Sequence, residues 1–153
     1  MSAVEDRLAE AGLTVPTVPA PVAVYVPAVR TGSYVYTAGQ LPLSGGELLA
    51  TGKVGAEVSV EVAYDCARQA ALNAIAAVRS VVGDLDAVVQ VVKATVFVAS
   101  TVDFTGQPGI ANGASELFGV AFGDAGQHAR SAVGVPVLPL DAPVEVELVV
   151  EVR

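Results

Sequence analysis

The sequence predicts an α+β fold in which helices cover one face of a β-sheet, and three observations carry that prediction. The predicted elements run strand pair, helix, strand, helix, strand pair along the chain. A long alanine-rich segment from about Val60 to Val82 contains no proline or glycine and repeats apolar residues near the helical period. At the end of the chain Val144, Val146, Leu148, Val150 and Val152 alternate with Glu145, Glu147, Val149 and Glu151. Strand alternation then puts the valines on one face, under the helices, and the glutamates on the other.

The elements follow in order. Ser2 to Gly12 reads as a short helix, with Val4, Leu8 and Ala11 spaced for one face and Ser2 able to cap the start. Leu13 to Pro27 carries Pro16, Pro19, Pro21 and Pro27, which hold the chain extended; its apolar content makes it a covering arm rather than a linker. Ala28 to Leu43 reads as a hairpin, with Thr31-Gly32-Ser33 as its turn and Tyr34 to Gly39 as its second strand, and Ser44-Gly45-Gly46 turns again. In the main helix Ala63, Cys66, Ala67, Ala70, Ile75, Val78 and Val82 recur, and Gly83 stops it.

Val88 to Ala99 is β-branched with few polar residues, which suits a central strand. A second helix spans about Pro108 to Phe122, with proline at its start. Two strands, near His128 to Leu138 and from Val144 to Val152, close the chain.

The chain has 153 residues, enough for one domain with a real core. It is 53% hydrophobic and 16% charged, against about 25% charged in an average domain. With a mean hydropathy of +0.60, some apolar surface is expected to lie in subunit contacts. No apolar run reaches the roughly 20 residues of a spanning helix, because Arg30, Arg68, Arg79 and Lys93 interrupt the candidates. The acidic start, Met1 to Arg7, lacks the order of a secretion signal, so a cytoplasmic protein is expected.

Cys66 is the single cysteine and His128 the single histidine, which disfavours disulfide, redox and zinc chemistry. A net charge of −8, with the basic residues scattered, makes nucleic acid a poor partner. Glycine-rich stretches around Gly45 and from Gly106 to Gly123 match no phosphate-binding pattern.

Candidate chemistry centres on Arg130. It sits in His128-Ala129-Arg130-Ser131-Ala132-Val133-Gly134-Val135, and Glu145 follows on what the pattern reads as a neighbouring strand. Alternation groups His128, Arg130, Ala132 and Gly134, so small residues leave space above a guanidinium suited to a carboxylate ligand. The competing reading of Arg130 is a structural ion pair across a subunit interface, to Glu145 or Glu147. His128 reads as structural rather than as a general base, and Cys66 as a small core residue.

Three segments together resemble the reactive-intermediate deaminase family, RidA or YjgF-like. They are Ala38-Gly39-Gln40-Leu41-Pro42, then Lys93 to Val98 with Asp103-Phe104, then Ala129-Arg130-Ser131 with Val144-Glu145-Val146-Glu147. The resemblance runs from about Val22 to Val152. It implies one chorismate-mutase-like α+β domain over residues 1–153, a mixed sheet with two main helices on one face, assembled as a homotrimer with a ligand pocket at each interface. Residues 1–21 are the added helix and proline-rich arm.

Archetypal members hydrolyse enamines and imines, such as 2-aminoacrylate and its imine tautomer, to 2-keto acids and ammonia without a metal or organic cofactor. The resemblance implies that Arg130 binds the substrate carboxylate and that Glu145 lies near the attacking water. It implies that Tyr25 closes the pocket, while Asn112, Gly39 and the backbone of Ala132 line it. This chain departs from the family in having Ala38 and Ala132 where a serine and a cysteine are usual, and in a longer Gly123–Gln127 loop. Those departures bear on substrate range more than on anion binding. Two further functions fit the same pattern: a non-catalytic trimer that binds a small carboxylate, and an endoribonuclease or translation inhibitor, which the acidic surface opposes.

Overall fold

In the computed structural model, residues 1–18 and 24–153 are described. Helix α1 is Ala3–Glu10, one residue inside the predicted start, because Ser2 is its cap. The Ser2 hydroxyl accepts the Glu5 amide at 3.1 Å and the Glu5 carboxylate accepts the Ser2 amide at 2.9 Å, so two otherwise unpaired donors are satisfied reciprocally. Asp86 accepts the next amides, those of Ala3 and Val4, and is held below the ordinary carboxylate range by them. Val4 and Leu8 bury into the core, as their spacing predicts.

Strands β1 (Ala28–Thr31) and β2 (Tyr34–Thr37) form the predicted hairpin. A two-residue turn joins them, with Gly32 at a φ of 57° that favours glycine. A small ribbon, β3 (Leu43–Ser44) with β4 (Glu47–Leu48), encloses the Gly45-Gly46 turn. Helix α2 is Val60–Val82, capped by Ser59 and ended by Gly83 at φ 78°. Its alanines and Cys66 are buried, and burial pushes the Cys66 thiol up to about 11. Strand β5 is Val88–Ala99, helix α3 Gln107–Phe122, β6 Ala129–Val135 and β7 Val144–Val152.

The five-stranded sheet has the order β1-β2-β7-β5-β6, with β5 and β6 parallel and the other pairs antiparallel. The last two strands are therefore not a pair. Helix α3 returns the chain to the same end of the sheet, which makes β6 parallel to β5. After β6 the chain passes to the opposite side of β5 and adds β7 between it and β2. Strand β6 also stops earlier than predicted, because Pro136 has no amide to give a ladder.

Both long helices lie on the valine face. Val144, Val146, Leu148, Val150 and Val152 are buried there, with α2 over β7 and α3 over β5 and β6. The helices approach closely at Gly113, where a Cβ would stand 2.2 Å from the Tyr64 carbonyl oxygen. The opposite face has no helix, and Val29, Tyr34, Tyr36 and Val133 are exposed on it. Leu13 and Val18 of the arm pack against the core and Val15 is buried in it; Pro19 and Pro21 of the predicted arm lie outside the described residues. Among the described residues no helix is long and apolar enough to cross a membrane.

Candidate active site

Arg130 sits on the edge strand in register with Ala94 of β5, which in turn faces Leu148 of β7. Ala94 and Leu148 belong to the helix-covered face, so Arg130 lies beneath α3 rather than on the open face. There its Nη1 donates to Asn112 Oδ1 at 2.8 Å and to Ser115 Oγ at 3.2 Å. Ser115 Oγ lies 2.9 Å from His128 Nε2, and His128 Nδ1 lies 2.6 Å from the Gly126 carbonyl oxygen. Phe118 meets the imidazole edge-on, with ring centroids 5.4 Å apart. An open hollow of about 380 Å³ adjoins this cluster, lined by Arg130, His128, Ser115 and the glycines of the Gly123–Gly126 turn among others.

Among the described residues the ion pairs are Lys53 with Asp141 and Arg79 with Glu5. Among the described residues Arg130 therefore meets only neutral acceptors; the competing ion pair to Glu145 or Glu147 would be made across a subunit interface. A partly buried guanidinium with no carboxylate partner favours an anionic ligand, since such a ligand adds charge-assisted bonds that neutral acceptors do not.

Glu145 faces the other way. It is in register with Phe97 of β5, which pairs with Val133 of β6, and these residues form the uncovered face. Strand β5 lies between it and Arg130, so the two are not on neighbouring strands and do not share a face. At about 4.8 Å per strand they are roughly 10 Å apart across the sheet, and three register positions add about 10 Å along it. The parity reading grouped the right residues with Arg130, but local alternation does not say which face a strand turns to the core.

A paired segment supports Glu145. After β2 the chain continues along β7, where Gln40 and Val146 exchange backbone hydrogen bonds of 2.8 and 2.9 Å. This sets Gly39 against Glu145: a Cβ on residue 39 would fall 2.0 Å from Glu145 Oε1. A side chain at residue 39 would displace the Glu145 carboxylate, so glycine here leaves that carboxylate its place. Among the described residues no donor hydrogen-bonds to Glu145. Burial, and then the charge of Glu147, push its carboxyl above the ordinary range.

The predicted residues thus separate into two clusters. Asn112 joins Arg130; Gly39 joins Glu145. Ala132 is partly buried on the helix-covered face, one pleat from Arg130. Tyr25 is 60% exposed and makes no side-chain hydrogen bond among the described residues. Ser115 was not foreseen, although it lies three residues from Asn112, the spacing that places both on one helix face. A second hollow of about 450 Å³ lies between the arm, the β3–β4 ribbon and α2. It is lined by amide side chains and no ionisable one, so it does not compete for an anion. Among the described residues no cluster of His, Cys, Asp and Glu has the composition of a metal site.

Comparison with known proteins places this geometry among relatives. The family model described as "YjgF/chorismate mutase-like, putative endoribonuclease" matches residues 5–152. A Trypanosoma cruzi protein named TCP17 is 41% identical over 98% of this chain and 94% of its own. The crystal structure of Atu1372 from Agrobacterium tumefaciens, described as of unknown function, superposes with a TM-score of 0.93 at 40% identity, covering 98% of this chain and 92% of that one. E. coli TdcF with bound serine superposes with a TM-score of 0.62 at 29% identity, covering 91% and 93%.

Proposed function

Because the chain belongs to the YjgF/chorismate mutase-like family, we propose that it is a cytoplasmic, cofactor-independent deaminase that hydrolyses small 2-imino and enamine acids to 2-keto acids and ammonia. The observation that carries this reading is Arg130, a partly buried cation bonded, among the described residues, only to the neutral oxygens of Asn112 and Ser115. The relative solved with serine binds a molecule that carries a carboxylate. Arg130 would receive the same group of a 2-imino acid, and the planar fork can do so bidentately.

The rest of the reaction asks little of the protein. An imine carbon bearing a carboxylate is electrophilic, and its protonated form more so; water adds to give a carbinolamine, and the C–N bond then breaks to leave the keto acid and ammonia. Glu145, with its proton affinity raised by burial, can take a proton from the water and return it to the departing nitrogen. The desolvated carboxylate is a stronger base than an exposed one, which suits it to that exchange.

Within one chain the Arg130 and Glu145 clusters occupy opposite faces. The reading therefore requires a homotrimer, in which the arginine cluster of one subunit meets the glutamate cluster of the next. The uncovered, partly apolar sheet face is the surface available for that assembly, and the exposed Tyr25 side chain would close the pocket. A second reading, a carboxylate-binding trimer without catalysis, is favoured by Ala38 and Ala132, where the family usually has a serine and a cysteine.

The test is ammonia or keto-acid release from imino acids generated in situ by an amino-acid oxidase, with several side chains. Acceleration by the wild type that Arg130→Ala abolishes supports the deaminase. Binding of pyruvate without acceleration of any imine selects the second reading.

A further inference from the structure

We infer that Ser115 and His128 form a positioning pair that holds Arg130 with its Nε–Nη2 edge turned to the ligand. The inference rests on the reading of Arg130 as the carboxylate receptor.

The Gly126 carbonyl can only accept, so the proton it shares with His128 at 2.6 Å must be on Nδ1. In the neutral ring Nε2 then carries a lone pair and accepts from the Ser115 hydroxyl at 2.9 Å. That commits the hydroxyl proton, and the oxygen's own lone pair accepts Arg130 Nη1 at 3.2 Å. The donors run one way, from Arg130 through Ser115 and His128 to a backbone carbonyl. The far end is firmly placed: a Cβ at Gly126 would stand 2.3 Å from the Phe118 carbonyl oxygen, so the turn is packed directly on α3.

Nη1 has two hydrogens, and Asn112 takes the other at 2.8 Å. This nitrogen is thereby fully used. Among the described residues no acceptor bonds to Nε or Nη2, and those two adjacent nitrogens form a fork that matches a carboxylate. Ser115 and His128 line the same hollow, and their part in this arrangement is to determine which edge of the guanidinium is presented. The tautomer matters because with an Nε2–H ring the hydroxyl oxygen would accept from both His128 and Arg130, and its own proton would have no partner among the described residues.

The test uses the full chain. His128 is the sole histidine, so the ¹⁵N spectrum of its imidazole is assigned without ambiguity and should show the Nδ1–H tautomer in the neutral ring. Arg130 is identified by the guanidinium signal missing from Arg130→Ala. In Ser115→Ala that signal should shift and broaden, the affinity for pyruvate should fall about ten-fold, and KM for the imine should rise by a similar factor with kcat within about two-fold. Ser115→Thr, which keeps the hydroxyl, should restore most of both.

An Nε2–H tautomer, or a guanidinium signal and pyruvate affinity unchanged in Ser115→Ala, overturns the inference. A merely structural serine would lower the melting temperature without moving KM. If Arg130→Ala binds pyruvate and turns over imine as the wild type does, the receptor reading of Arg130 fails. The tautomer and guanidinium signals still decide the positioning.

Discussion

Arg79 and Arg130 both use Nη1 to reach side-chain oxygens, but the oxygens differ in charge. Arg79 meets the Glu5 carboxylate at 2.8 Å, and its Nη2 donates to the Pro16 and Val15 carbonyls at 3.0 and 3.4 Å. It joins α2 to α1 and to the arm, and its charge is matched inside the chain. Arg130 meets an amide and a hydroxyl, and no carboxylate among the described residues. The contrast separates a cation spent on architecture from one left available, and it does so without reference to any relative. It applies to the acids as well: Glu5 has Arg79 and the Ser2 amide, whereas Glu145 has no donor among the described residues and a like charge at Glu147.

The comparison breaks first at Arg130. Arg130→Ala should reduce kcat/KM for imine hydrolysis by at least about 100-fold, a loss of roughly 2.7 kcal/mol or more in transition-state stabilisation. Arg79→Met should leave KM unchanged in the same steady-state assay. If both arginines proved equally important for turnover, charge pairing would not discriminate between their roles.

Glu145→Gln should reduce kcat by about 100-fold, the lower part of the range for general acid–base groups, while raising the melting temperature at pH 7. The sign follows from the raised pKa of Glu145. The folded state holds this proton more tightly than the unfolded chain, so ionisation of Glu145 costs stability as pH rises from the ordinary value of 4.5 through the higher folded one. The gain in Glu145→Gln should therefore vanish in melts taken below about pH 4. Gly39→Ala sharpens the same point, since its methyl would displace the Glu145 carboxylate; about ten-fold lower kcat, with stability changed by less than about 1 kcal/mol, is expected in parallel kinetic and denaturant measurements.

Arg79→Met has its own effect on stability. Losing the Glu5 pair and the carbonyl bonds should cost about 1–2 kcal/mol, read from urea denaturation. The smallest effect is the acid limb of Glu5. Its pKa is lowered from 4.5 to about 2, first by the Ser2 amide and then by Arg79. Its contribution is present above pH 4.5 and is lost as pH falls through about 2, so Glu5→Gln should flatten that part of the stability profile.

The elements were legible where one local rhythm governs them. The alanine spacing of α2, the β-branched run of β5 and the alternation of β7 predicted Val60–Val82, Val88–Ala99 and Val144–Val152 with the observed bounds. Strand order was not legible, because nothing local in β6 and β7 reports that β5 lies between them. The same gap hid the true relation of Arg130 and Glu145: alternation identifies which residues share a face, and only the register with Ala94 and Phe97 reveals which face it is. The isolation of His128 in the sequence suggests a structural residue; its bond to Ser115 comes from the packing of the Gly123–Gly126 turn on α3, a contact with no periodic signature.

The buried Cys66 makes the protein convenient for spectroscopy. Its thiol is shut in the core and pushed up to about 11, so it stays silent toward maleimide and methanethiosulfonate reagents while the fold is intact. A cysteine introduced at Val133, exposed on the uncovered sheet face, would take a nitroxide or a dye alone, with no need to remove the native residue. Distances between such labels would then report directly whether copies meet across that face and how near they come.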